Sequence, residues 1–207
     1  MKSQAKNLLL ITIIILGLVG CGQPDVQLKP LKQDAVILAF GDSLTFGTGA
    51  QPGQSYPSVL AELTGREVIN AGIPGELSSA GKTRLSQLLQ ETNPDLVILC
   101  HGGNDLLRKL SRQQLQANLQ AMVDEITDSG AQVLLVAVPT FAINLAPAPL
   151  YLEVAQNNNI PIQPTILSEL LIDNTLKADQ VHPNALGYRQ FAQSIHHLLI
   201  KSGAISK

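Results

Sequence analysis

A chain of 207 residues with 45% hydrophobic and 14% charged residues carries enough apolar material to fill one core, which excludes intrinsic disorder. A formal net charge of -2 provides no basic footprint for a phosphate backbone, and four Phe, three Tyr and no Trp provide few flat faces, so nucleic-acid binding and a long polysaccharide groove are both disfavoured. Small or acyl substrates suit this composition better.

At the N-terminus, Lys2 and Lys6 precede an apolar run from Leu8 to Val19, the length of a signal-peptide core and too short to span a bilayer comfortably. The run ends in Leu18-Val19-Gly20-Cys21, which resembles the lipobox of bacterial lipoproteins, where the Cys thiol is acylated and becomes the mature N-terminus; an ordinary signal peptide with a chance Cys is the alternative. Residues 1–20 are therefore read as a lipoprotein signal peptide and Cys21 as the lipidation site. Residues 21–33, polar and proline-containing, read as a tether, and 34–207 as the folded domain. The resemblance implies a protein held by its lipid on a bacterial membrane, at the periplasmic or extracellular face of the cell envelope. Removing 1–20 takes out Lys2 and Lys6 and no acidic residue, so the charge falls from -2 to -4. With Cys21 used for lipid, Cys100 has no disulfide partner and is expected to act as a small buried hydrophobe.

From Asp34 onward, short apolar runs alternate with segments of helical period. Ala35 to Phe40, Glu67 to Asn70, Asp95 to Cys100 and Gln132 to Val138 read as buried strands, with a weaker fifth around Ile160 to Ile162. Tyr56 to Leu63, Ser79 to Glu91 and Gln113 to Asp128 read as helices, the last stopped by Ser129-Gly130; a final helix runs from about Ala185 to Lys201, with Pro183 close to its start. This βαβα rhythm predicts an α/β fold: a three-layer α/β/α sandwich around a flavodoxin-like, parallel, five-stranded sheet.

Ligands of such sheets bind beyond the carboxyl ends of the strands, so the loops there are where chemistry is sought. In chain order they hold Phe40-Gly41-Asp42-Ser43-Leu44-Thr45, Asn70-Ala71-Gly72 and His101-Gly102-Gly103-Asn104-Asp105, and before the last helix Asp179-Gln180-Val181-His182-Pro183-Asn184. Taken singly, each has a bland reading as a turn or a helix cap. Four in this order, on one rim, resemble the GDSL or SGNH hydrolase family, whose Ser, Gly, Asn and His stand here as Ser43, Gly72, Asn104 and His182. The resemblance covers nearly the whole mature domain. Within the family the blocks look most like the bacterial arylesterases, acyl thioesterases and lysophospholipases, which implies ester, thioester or lysolipid substrates and neither metal nor organic cofactor. The proline-containing stretch Pro139 to Pro149 and the short link from there to Asp179 depart from that branch and leave the acyl-chain length open.

The chemistry asks for these residue types. A serine hydroxyl needs a base beside it, which His182 provides for Ser43, and a carboxylate on the other ring nitrogen fixes the tautomer, a role that Asp179 can fill from three residues away. By resemblance, the oxyanion is held by the backbone N–H groups of Ser43 and Gly72 and by the Asn104 amide. Asp42 is expected to orient its loop, Asp105 to organise the turn after it, and His101 to give local support, since it cannot meet Cys100 across a strand. His196 and His197 are assigned no chemistry.

Other readings are weaker. Gly75 to Thr83 follows a strand and opens a helix like a phosphate-binding loop, but its spacing is wrong by one residue and Glu76 would face the phosphates; Gly47-Thr48-Gly49 lacks the third glycine of a dinucleotide fingerprint. Thr45 stands where an α/β-hydrolase elbow needs Gly. A carbohydrate acetylesterase, or a non-catalytic lipid-binding lipoprotein using the same pocket, are the alternatives to a serine esterase.

Overall fold

The computed structural model describes residues 26–140 and 145–206; the signal segment and Cys21 lie outside them. The chain runs through β1 (Val36–Gly41), α1 (Ser43–Phe46), α2 (Tyr56–Thr64), β2 (Glu67–Gly72), α3 (Ser78–Thr92), β3 (Leu96–Cys100), α4 (Gly103–Leu107), α5 (Arg112–Asp128) and β4 (Gln132–Val136). It continues with α6 (Pro149–Asn158), β5 (Ile162–Gln163), α7 (Ile166–Ile172), a 3-10 turn at Asn174–Leu176 and α8 (Ala185–Lys201). The strands lie in the order β2-β1-β3-β4-β5 with every neighbouring pair parallel, the flavodoxin-like order.

That order places the helices. The crossover from β1 to β2 runs to one side and those from β2 onward to the other, so right-handed connections put α2 on one face and α3, α5 and α6 on the opposite one. The packing agrees: α2 lies against α8, and α5 lies against both α3 and α6. With both faces covered, the central strands are apolar along their length. All five residues of β3 are buried, as are Ile37 to Gly41 of β1, whereas the edge strand β2 is only half-buried. Cys100 is a free, fully buried thiol at the end of β3.

Three sequence expectations change. The fifth strand is Ile162–Gln163, because Pro161 has no N–H to give the ladder and contributes only its carbonyl, to Leu135 N. The stretch before Asp179 holds two unpredicted helices. In α6, Pro149 occupies the first turn, where its missing N–H costs nothing; in α7, Ile-Leu-Ser-Glu-Leu-Leu-Ile is buried on most sides, which hides the helical period. Nor do residues 26–33 behave as a tether. Leu28 N and Leu31 N donate to the carbonyls of Ser202 and Ala204 at 2.8 and 2.7 Å, and Leu31 is buried, so the chain from residue 26 packs onto the domain.

Candidate active site

The sheet order reverses between β1 and β3, and the crevice outside their carboxyl ends is where the candidate residues gather. Asp42 leaves β1 and caps α1, its Oδ1 accepting the Leu44 N–H at 3.1 Å, which sets Ser43 at the first helical position. On the facing wall, Asp179 Oδ1 accepts the N–H groups of Val181 and His182 at 2.8 and 2.9 Å, folding the segment into a tight turn. Asn184 then caps α8 through Gly187 N and pins the turn by donating to the carbonyls of Thr175 and Lys177.

This geometry joins residues 139 positions apart. His182 Nε2 lies 2.9 Å from Ser43 Oγ, and Nδ1 lies 2.8 Å from Asp179 Oδ2. A carboxylate only accepts, so the ring proton sits on Nδ1 and donates to Asp179, leaving Nε2 to accept from the Ser43 hydroxyl. Although desolvation raises it, the Asp179 carboxyl is held below its ordinary range by the bonds from the His182 ring and from the N–H groups of Val181 and His182. It remains an anion for the imidazole. Burial pushes the Asp42 carboxyl up, against the opposing pull of the His101 and His182 rings and of the Leu44 and Gly103 N–H groups.

The triad opens on a cavity of about 220 Å³ lined by Leu44, Pro74, Leu107 and Val181 on its apolar side and by Ser43, Gly75, Asn104 and His182 on its polar side. A larger cleft of about 640 Å³ between β5 and α8 contains none of these polar groups, so the smaller one is the candidate site. Asn104 Nδ2 donates to Glu76 O at 3.0 Å and to Asp42 Oδ2 at 3.3 Å, which aims the amide at the cavity edge.

Gly72 is the expectation that fails. It is the last residue of β2, its N–H donates to Asn70 Oδ1 at 3.0 Å, and it does not line the cavity. Its missing side chain serves packing: a Cβ there would collide with the backbone of Thr45 and Phe46. Gly75 lines the cavity instead. Ile73-Pro74-Gly75-Glu76 is a turn closed by Glu76 N to Ile73 O at 3.2 Å, with Pro and Gly at its centre and Gly75 at φ 78°. In such a turn the N–H of the second central residue faces outward. Among the described residues, no protein acceptor takes the N–H of Ser43 or of Gly75. The Pro-Gly pair is a turn signal in the sequence, with Gly75 three residues beyond Asn70-Ala71-Gly72.

Asp105 also differs from expectation, since its carboxylate holds the start of α3 by accepting from Ser78 N at 2.9 Å and Ser78 Oγ at 2.7 Å. His101 is local support, fully buried, with Nδ1 accepting the Gly102 N–H at 2.8 Å.

A profile of the GDSL-like Lipase/Acylhydrolase family matches residues 39–190. Esterase TesA of Pseudomonas aeruginosa is 33% identical over 163 residues, 71% of this chain and 79% of that protein. The Thioesterase 1/protease 1/lysophospholipase L1 of Escherichia coli is 29% identical over 156 residues, 72% of this chain and 75% of that protein. The crystal structure of AlinE4, described as an SGNH-hydrolase family esterase, superposes with a TM-score of 0.64 at 31% identity, covering 83% of this chain and 98% of that one.

Proposed function

Given that the chain belongs to the GDSL-like lipase/acylhydrolase family and is an SGNH-type ester hydrolase, we propose that Ser43, His182 and Asp179 carry out acyl transfer to water in a protein anchored by lipid to the cell envelope. The observation that carries the catalytic reading is the single imidazole within hydrogen-bond reach of both a serine hydroxyl and a carboxylate.

The reaction follows from the geometry. Ser43 Oγ attacks the carbonyl carbon of an ester or thioester as His182 Nε2 takes its proton, and Asp179 stabilises the imidazolium so formed. The carbonyl oxygen becomes an oxyanion facing the N–H groups of Ser43 and Gly75 and the Asn104 amide, which exchanges its longer bond, the one to Asp42, for the developing charge. Collapse expels the alcohol or thiol with the proton from His182, leaving an acyl-Ser43 ester. Water then attacks that ester, again giving its proton to His182, and the carboxylic acid departs as the proton returns to Ser43 Oγ. The apolar wall of Leu44, Pro74, Leu107 and Val181 suits an acyl chain, and the names of the relatives support esters, thioesters and lysolipids as the substrate range.

Purified protein offered p-nitrophenyl esters of graded chain length, acyl-coenzyme A and a lysophospholipid, beside labelling with an active-serine phosphonate, tests this. Turnover of at least one class with label on Ser43 is expected, and a protein that neither turns over nor takes label overturns the reading. The anchor reading rests on Leu18-Val19-Gly20-Cys21. Labelled fatty acid should enter the wild-type protein and not Cys21→Ser; a wild-type protein that takes up no label removes the anchor and the membrane location with it.

A further inference from the structure

The loops bearing the three oxyanion donors meet at one ion-pair cluster that takes no part in proton transfer. Arg84, on α3, donates from Nε to both oxygens of Glu76 at 2.7 and 3.0 Å and from Nη2 to Glu76 Oε2 at 2.6 Å. The same Nη2 reaches the carbonyls of Ala71 at 2.9 Å and Gly41 at 3.2 Å, where β2 and β1 end, and the guanidinium carbon lies 4.2 Å from the centroid of the Phe40 ring. From the other side, His101 Nε2 lies 3.1 Å from Glu76 Oε2. Because His101 Nδ1 accepts from Gly102 N, the ring proton is on Nε2 and the imidazole donates to the carboxylate. The ring fits because α3 has Gly81 at the crossing: a Cβ there would collide with Nε2. The side chains of His101 and Glu76 are 0% and 7% exposed.

The arms of the cluster end one to four residues from an oxyanion donor. Gly41 is two residues before Ser43. Glu76 directly follows Gly75, and its own carbonyl accepts the Asn104 amide at 3.0 Å. His101 opens the loop that ends in Gly103-Asn104. An oxyanion hole accelerates a reaction only in so far as its donors are already in place when charge develops. A planar guanidinium with five N–H donors can join one carboxylate to two carbonyls at fixed angles, which an ammonium cannot do.

We propose that Arg84 and Glu76, backed by His101, are positioning residues for transition-state binding, holding the N–H groups of Ser43 and Gly75 and the amide of Asn104 at one spacing. This rests on the esterase reading above. Although burial raises it, the Glu76 carboxyl is held at about 2 by the bonds from His101 and Arg84 and by the Arg84 charge, so Glu76 remains an anion at neutral pH.

The competing account is that the cluster merely stabilises the fold, and Arg84→Met and Arg84→Lys, assayed with p-nitrophenyl acetate well below their melting temperatures, separate the two. Positioning predicts that kcat of Arg84→Met falls on the order of tenfold to a hundredfold while KM stays within about twofold, and that a phosphonate, whose phosphoryl oxygen enters the same hole, reacts more slowly by a similar factor. Lys keeps the pair with Glu76 but not both carbonyls, so Arg84→Lys should recover part of the lost kcat. A folded Arg84→Met with wild-type kcat overturns the proposal, as does a loss that raises KM in parallel and tracks the fall in melting temperature. Should Arg84→Met not fold, Arg84→Lys decides: reduced kcat at unchanged KM supports positioning, and wild-type kcat refutes it. A wild-type protein with neither turnover nor Ser43 labelling removes the esterase reading and this proposal with it; turnover by wild type with unimpaired Arg84 variants removes this proposal alone.

Discussion

The two halves of the proposed active site are built in opposite ways. The acid–base half, Asp179 to His182, lies on one exposed turn: the Asp179 side chain is 53% exposed, and its bonds to Val181, to the His182 backbone and to the ring all fall within four residues of chain. The oxyanion half draws Ser43, Gly75 and Asn104 from the ends of three strands and is backed by side chains that are almost wholly buried, with Asp42 at 1% and His101 at 0% exposure. A proton relay needs one correct distance at each end, and a local turn can supply that. Donors that must converge on a single atom need a rigid sheet beneath them.

The two halves meet where His182 Nε2 faces Ser43 Oγ. Ser43→Ala and His182→Ala should each lower kcat on the order of a thousandfold or more, and the double variant little further, because the residues act as a unit; additive losses in steady-state kinetics would separate the halves altogether. Asn104→Ala should lower kcat by on the order of a hundredfold with KM nearly unchanged, whereas a parallel loss in both constants would make Asn104 a loop support.

Gly72 and Gly75 differ in what an added side chain would meet. Gly75→Ala meets open space and bears only the strain of φ 78°, about 1 kcal/mol, so it should fold normally and lose on the order of tenfold in kcat as its N–H reorients. Gly72→Ala drives a Cβ into the Thr45 and Phe46 backbone and should instead show mainly in the melting temperature. A reversed pattern in the two assays would return the donor to Gly72.

The smallest effect is one of pH. Glu76 titrates at about 2 in the folded protein against an ordinary value of 4.5, so the unfolded chain takes up its proton first. The stability it contributes is whole above pH 4.5 and is lost as the pH falls toward 2. Glu76→Gln should therefore melt a few degrees below wild type at neutral pH, with the gap closing over that window; a gap independent of pH would show that the charge of Glu76 does not stabilise the buried cluster.

The layers and the candidate reacting groups are legible in the sequence. Continuous apolar runs such as Leu96–Cys100 mark strands covered on both faces, and Ser43, Asn104, Asp179 and His182 stand in short blocks whose order is visible without coordinates. Which glycine faces the cavity is settled by packing between segments: Gly72 abuts the backbone of Thr45 and Phe46 and gives its N–H to Asn70 Oδ1, whereas Gly75 lines the cavity. For the same reason Glu76, which counted only against phosphate binding when taken alone, becomes the centre of the site's support once α3 brings Arg84 to one side and β3 brings His101 to the other. The period of α7 was hidden by burial on most sides, and the packing of Leu28 and Leu31 against the end of α8 by a composition that suits a tether. Periodicity records one covered face of one element, whereas convergence and complete burial are set by neighbours distant in the chain.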